Sequence, residues 1–301
     1  MKNINPLSKI TLFKLICKNI RFIIIPFIVS GGILSCSSDN EVPDTIAPDP
    51  LADFKLVTTI DSEAHAIEVY SENQNFTVGY NELYVRVKDV TQGTYLAQSQ
   101  ITWQPMMHMM QMNHSCPYSD LAITEVETIS KGYIVFQMPG NTDEFWDLTV
   151  NYTVNGQEYS ASKVINVMLP VDEKQKVSVF MGADETRYVL AMTGPKAPQI
   201  AVNDITALLF KMENMMHFPV VENYTITLDP RMPGMGNHSS PNNVDLSYDA
   251  KTQGYAGKLA LTMTGYWKLN LTVVNEAGEL LKGEVLTEDH LESSLFFEIE
   301  F

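Results

Sequence analysis

Five methionines, two histidines and a cysteine fall within the fourteen residues QPMMHMMQMNHSCP at 104–117. Thioethers are soft ligands and imidazole is borderline, so together they suit Cu(I), and with added nitrogen ligands Cu(II). Calcium, magnesium and manganese want oxygen ligands and fit poorly. A thioether needs no deprotonation and forms no disulfide, so a methionine site survives oxidising conditions better than a thiolate one.

The stretch has a plainer second copy. TWQPMMHMMQMNHSCP from Thr102 aligns with TLDPRMPGMGNHSSP from Thr227 once a one-residue gap is placed at Met112. Met107, Met110 and His114 then match Met232, Met235 and His238. These six are the first candidates for metal ligands. Pro230, Pro233, Gly234, Gly236 and Pro241 are expected to interrupt any helix or strand, so that three side chains on a turn-rich loop converge on one ion. The first copy adds Met106, His108, Met109, Met112 and Cys116 as further candidates. Cys116 is matched by Ser240, so a site shared by both copies does not depend on it. KMENMMHFP supplies a third cluster, Met212, Met215, Met216 and His217, with no counterpart in the first copy.

Methionine is also an adaptable core filler and a flexible contact surface. Two features weigh toward ligands. Ten of the 16 methionines and four of the six histidines lie in these three windows. The Met-x-x-Met…His pattern also recurs among prolines and glycines, where core packing is least expected. His65 and His290 read as solvated or satisfied surface groups.

The elements that must carry these residues are strands. ELYVRVKD, SQITWQP, YIVFQM and WDLTVNYTV alternate apolar and polar residues, as do ITALLFKME, YTITLDP, GKLALTM, YWKLNLTVV and SSLFFEIEF. Turn residues such as Asn155-Gly156 separate them, and no long stretch has a helical period. The repeat extends beyond the methionines. Each copy runs from the loop through a Gly-Tyr strand and a methionine to an aromatic-Trp strand, with Trp146 and Trp267 at matching points as expected core anchors. The expected fold is all-β, two tandem Ig-like β-sandwich domains at 51–170 and 171–301.

Residues 1–35 read as a lipoprotein signal peptide: Lys2, Lys9, Lys14, Lys18 and Arg21 precede the apolar FIIIPFIVSGGIL, which ends in ILSC. Lipidation is expected at Cys36, with 36–50 as a flexible acidic tether. The chain would then sit in a bacterial cell envelope, held to the outer membrane on its periplasmic or surface face. Cys17 leaves with the signal, so Cys116 is the one thiol of the folded region and no internal disulfide forms. A formal net charge of −16 excludes nucleic acid as a partner.

PRMPGMGNHSSP followed by GYAGKLALTMTGYWKLNLTV resembles the YtkA-like/FixH-like domain, which pairs a Met-Pro-x-Met-x-x-His loop with a Gly-Tyr strand and a Gly-x-Trp strand. The resemblance covers most of the second domain. The first departs from it: His108 stands for the loop proline, Met109 for the glycine, and Met112 is inserted. Membership would imply a small Ig-like sandwich outside the cytoplasmic membrane, copper binding or delivery through Met232, Met235 and His238, and a copper-transport or oxidase-assembly partner protein.

The expected function is therefore a copper-binding lipoprotein that buffers or delivers copper. The alternative is a non-metal Ig-like module presenting Met-rich loops to a partner protein. The sequence holds no paired acid/base constellation, no Ser-His-Asp order and no phosphate loop, so no catalysis is expected.

Overall fold

A computed structural model describes residues 48–97 and 100–301. The signal peptide, Cys36 and the tether up to residue 47 lie outside the described residues. Among those described there is no α-helix, and the alternating apolar segments all become strands.

In the first half these are β1 (Lys55–Asp61), β2 (His65–Ser71), β3 (Phe76–Thr77), β4 (Gly79–Asp89), β5 (Tyr95–Leu96), β6 (Ile101–His108), β7 (Asn113–His114), β8 (Ala122–Ile123), β9 (Ser130–Phe136), β10 (Phe145–Val154), β11 (Gln157–Ile165) and β12 (Val167–Met168). One sheet runs β1-β2-β4-β9-β8 and the facing one β11-β10-β6-β7. The second half contains β13 (Val177–Met181), β14 (Arg187–Gly194), β15 (Val202–Lys211), β16 (Thr225–Met232), β17 (His238–Ser239), β18 (Val244–Asp249), β19 (Gly254–Ala260), β20 (Tyr266–Val274), β21 (Leu280–Lys282) and β22 (Phe296–Glu300). Its strands follow the same order: β13-β14-β15-β19-β18 on one side, and β22-β20-β16-β17 on the other. A short β16–β18 pairing joins the two sides at one edge.

From β2 and β14 onward, and leaving aside the two-residue β7 and β17, this is the seven-strand immunoglobulin arrangement, four strands facing three, traced twice. All named pairings stay within one half, 55–168 or 177–300. Each half has its own core. Trp146 and Trp267 are fully buried in them, on β10 and β20. Each indole Nε1 donates to the carbonyl of a methionine closing the preceding segment, Met138 at 3.0 Å and Met263 at 3.1 Å. Burying a side chain of that size contributes at most about 4–6 kcal/mol.

The halves are also packed on each other. Val135 of β9 joins Val189, Ala191, Leu208, Phe210 and Phe218 in a shared apolar cluster. Tyr133 and Phe210 lie 6.3 Å apart, ring to ring. Lys196 reaches across to Glu72 at 2.9 Å.

Two expectations need correction. His65 is buried rather than solvated, and its Nδ1 hydrogen-bonds the Tyr152 hydroxyl at 3.0 Å. The tether ends earlier than residue 50, because both Asp49 carboxylate oxygens accept from Arg86 Nη1, at 2.8 and 2.9 Å. The Arg86 side chain is 5% exposed. It also donates to Glu68 and lies under the Tyr95 ring, so residues near 49 are docked onto the first sandwich.

Candidate functional site

The two Met–His motifs form the same local structure. In the first half β6 turns back into β7, with Met107 opposite His114. In the second, β16 turns through a 3-10 segment, Pro233–Met235, into β17, with Met232 opposite His238. Gly236 and Asn237 both take positive φ, 63° and 60°, which lets that turn close.

Pro230 does not interrupt its strand as expected, whereas Pro233, Gly234 and Gly236 do end it. β6 runs straight through Pro105 and β16 through Pro230, each paired with its inner neighbour at Leu148 and Leu269. Proline lacks only the N–H, and both prolines fall where the outer side is unpaired: β7 pairs only with Met107 and His108 of β6, and β17 and β18 pair only with Arg231, Met232, Thr225 and Ile226 of β16. Pro105 keeps its carbonyl satisfied on that side by the Ser115 hydroxyl at 2.8 Å.

Because the strands continue, Met107 and Met232 alternate inward. Met107 is fully buried and packs in the first core, and Met232 is buried in the second. The expectation that these methionines sit in loops away from the core is therefore corrected. Met110, by contrast, is 82% exposed and Met235 60% exposed. In each copy the first methionine faces the core and the second faces solvent, so Met107, Met110 and His114 are not gathered at one point. Met232, Met235 and the exposed His238 are likewise divided.

The structure gathers a different set. A cavity of about 440 Å³ is lined by Met109, Met112, His114 and Met138 from the first half and by Met212 and Met215 from the second. The third methionine cluster thus lies against the first motif rather than the second. It sits on a tight reversal after β15, closed by the Asn214–His217 bridge. The Ser115 amide donates to the Met215 carbonyl at 2.8 Å, which fixes the two loops against each other. No carboxylate lines the cavity; Arg187 and Gln137 are its polar members besides His114.

His114 is oriented for one task. Its Nδ1 lies 2.7 Å from the Ser115 carbonyl, which can only accept, so Nδ1 carries the proton. The lone pair is then on Nε2. The ring stands edge-on to Trp146, centroids 5.7 Å apart, which limits its rotation. Histidines that ligate metals are commonly held in this way through the other nitrogen.

The remaining candidates are placed elsewhere. Met106 is half-buried on β6, opposite Asp147. His108 bonds Asp147 through Nε2 at 2.7 Å and stacks on Phe145. Cys116 is fully buried in the first core, and burial pushes its thiol well above the ordinary value, so it packs as a neutral hydrophobe. Met216 is 40% exposed, and His217 is exposed and paired with Glu213 at 3.0 Å. Among the described residues no three His, Cys, Asp or Glu side chains converge as metal ligands. Met138 was missed by sequence reading because it stands alone, outside the three clusters. Its one signal was its place before the aromatic-Trp strand, shared with Met263.

No family model matches the chain, and no curated protein matches it. Among solved structures it is similar to a DUF4785 family protein from Legionella pneumophila, at 9% identity and a TM-score of 0.24, over 72% of this chain and 54% of that one. It is also similar to FdeC, an Escherichia coli adhesin, at 12% identity and 0.22, over 71% of this chain and 62% of that one. A titin fragment matches at 11% identity and 0.17, over 69% of this chain and 91% of the fragment. The chain thus spans little more than half of the first of these proteins and 62% of the second. The TM-scores are low, and the strand order of the chain itself carries the fold assignment.

Proposed function

We propose that the chain is a copper-binding lipoprotein of a bacterial cell envelope, anchored at Cys36, that buffers or delivers Cu(I) through its Met and His side chains. The observation that carries this reading is the concentration of accessible soft ligands on the turn that follows the equivalent strand, β6 or β16, in both sandwiches. Met110, Met112, Met235 and His238 are all exposed there, with His114 half-buried beside them. Soft thioethers with imidazole favour Cu(I) over hard divalent cations, which want oxygen ligands. The acidic net charge adds a long-range attraction for any cation. Envelope placement rests on the N-terminal sequence, and the copper assignment draws on the loop's resemblance to YtkA-like/FixH-like domains. Delivery would need a copper-transport or oxidase-assembly partner.

The test is a Cu(I) titration of the purified protein against a chromogenic chelator under reducing conditions. Saturable binding at one or a few equivalents supports the reading. Failure to compete with the chelator, with the protein folded, overturns it and favours the Met-rich loops as contacts for a partner protein.

A further inference from the structure

We propose that the principal soft-metal site lies between the two sandwiches, with ligands drawn from both: Met109, Met112, His114 and Met138 on one wall, Met212 and Met215 on the other. This rests on the copper reading above but places the ion elsewhere than the repeated Met-x-x-Met…His motif alone would. Each motif splits its methionines between core and solvent, which leaves neither copy a convergent set by itself.

Four observations support the cleft. These six residues line one cavity of about 440 Å³. Methionine's three rotatable bonds let several thioethers close on an ion from such a wide space. His114 already has Nδ1 tied to a backbone carbonyl, leaving Nε2 as the lone-pair nitrogen. The two walls are fixed in place by the Ser115–Met215 backbone bond and by the Tyr133–Phe210 contact behind it.

The lining also selects the ion. Without a carboxylate, with Gln137 as its one side-chain amide and with Arg187 among its members, it offers a hard divalent cation no anionic oxygen. A soft monovalent ion loses least beside that positive charge and gains most from thioethers. Binding here would also hold the two sandwiches together, because an ion bound between packed domains stabilises their docked state.

The experiment compares Cu(I) affinity, by chelator competition, for the unaltered protein and two double variants, Met109→Leu/Met112→Leu and Met212→Leu/Met215→Leu. Leucine keeps volume and removes the sulfur, so folding is retained, and circular dichroism checks it. Either pair is expected to weaken Cu(I) binding at least tenfold, while Met168→Leu, at an exposed methionine outside every candidate cluster, changes it less than twofold. Unaltered affinity in Met212→Leu/Met215→Leu, with the unaltered protein still binding Cu(I), overturns the shared site and leaves the copper reading standing. No Cu(I) binding by the unaltered protein overturns both. A loss caused by Met235→Leu alone assigns the ion to the second motif and also overturns the shared site.

Discussion

Replacing Met107 by alanine separates a core side chain from a metal ligand. Met107 has no exposed surface and packs in the first core beside Trp146, its cross-strand neighbour. Alanine removes three heavy atoms, a transfer loss of roughly 2–2.5 kcal/mol at about 0.8 kcal/mol per group. The cavity left behind adds about 1–2 kcal/mol where neighbours relax only partly. The expected cost is about 3–4 kcal/mol, within the range for buried Met→Ala changes. For a domain of about 120 residues that lowers the melting temperature by roughly 10–15 °C. Met107→Leu is expected to cost under about 1.5 kcal/mol and to keep Cu(I) affinity. Met110→Ala, at a side chain 82% exposed, stays within about 0.5 kcal/mol. Urea denaturation followed by tryptophan fluorescence measures all three. An unchanged midpoint for Met107→Ala, together with lost Cu(I) affinity in Met107→Leu, would refute the placement and restore Met107 as a ligand.

Arg86→Met is expected to destabilise the first half by about 3 kcal/mol, since it leaves the 13%-exposed Glu68 carboxylate without its charge partner, held by the Tyr70 and Tyr95 hydroxyls alone. The same change flattens the acid limb of stability. The Leu51 amide and then Arg86 hold Asp49 below its ordinary value, and at Glu68 the hydrogen bonds from Tyr70 and Arg86 outweigh a burial that would raise it. Both carboxylates therefore contribute stability that is full above pH 4.5, the ordinary Glu value, and is lost as pH falls through their lowered folded values. A pH series of denaturation midpoints reads this directly, and an identical acid limb in the variant contradicts it. Cys116 should resist alkylation at pH 8 until denaturant is added, as shown by mass mapping of its peptide; full labelling of the folded protein within minutes contradicts its burial. Gly265→Ala places a Cβ at φ +116° and 3.2 Å from Met232 Cε, so a loss of about 1–3 kcal/mol in the second half is expected, and a neutral melting curve would contradict it.

Much of this was legible in the sequence. Period-two alternation and the repeated motif order lead to two like sandwiches, because side chains that alternate between core and solvent leave that mark directly. Trp146 and Trp267 fall where expected for the same reason. The error began at Pro230, read as a strand breaker. Whether a proline breaks a strand depends on whether it lies at a sheet edge, which only strand order reveals. That order turns Met107 and Met232 inward and shows His65 to be buried. The cleft itself was not legible. It depends on how β9 of one sandwich docks against β14 and β15 of the other, and no local pattern encodes that. Sequence reading found Met109, Met112, His114, Met212 and Met215 as soft residues without showing that they share one space, and it passed over Met138.

X-ray absorption at the copper edge of the Cu(I)-loaded protein tests the central claim most directly. A first shell dominated by sulfur, with a nitrogen contribution lost in His114→Ala, is the result the account calls for. A shell of oxygen and nitrogen alone, or one unchanged by His114→Ala and by loss of the cleft methionines, would contradict it.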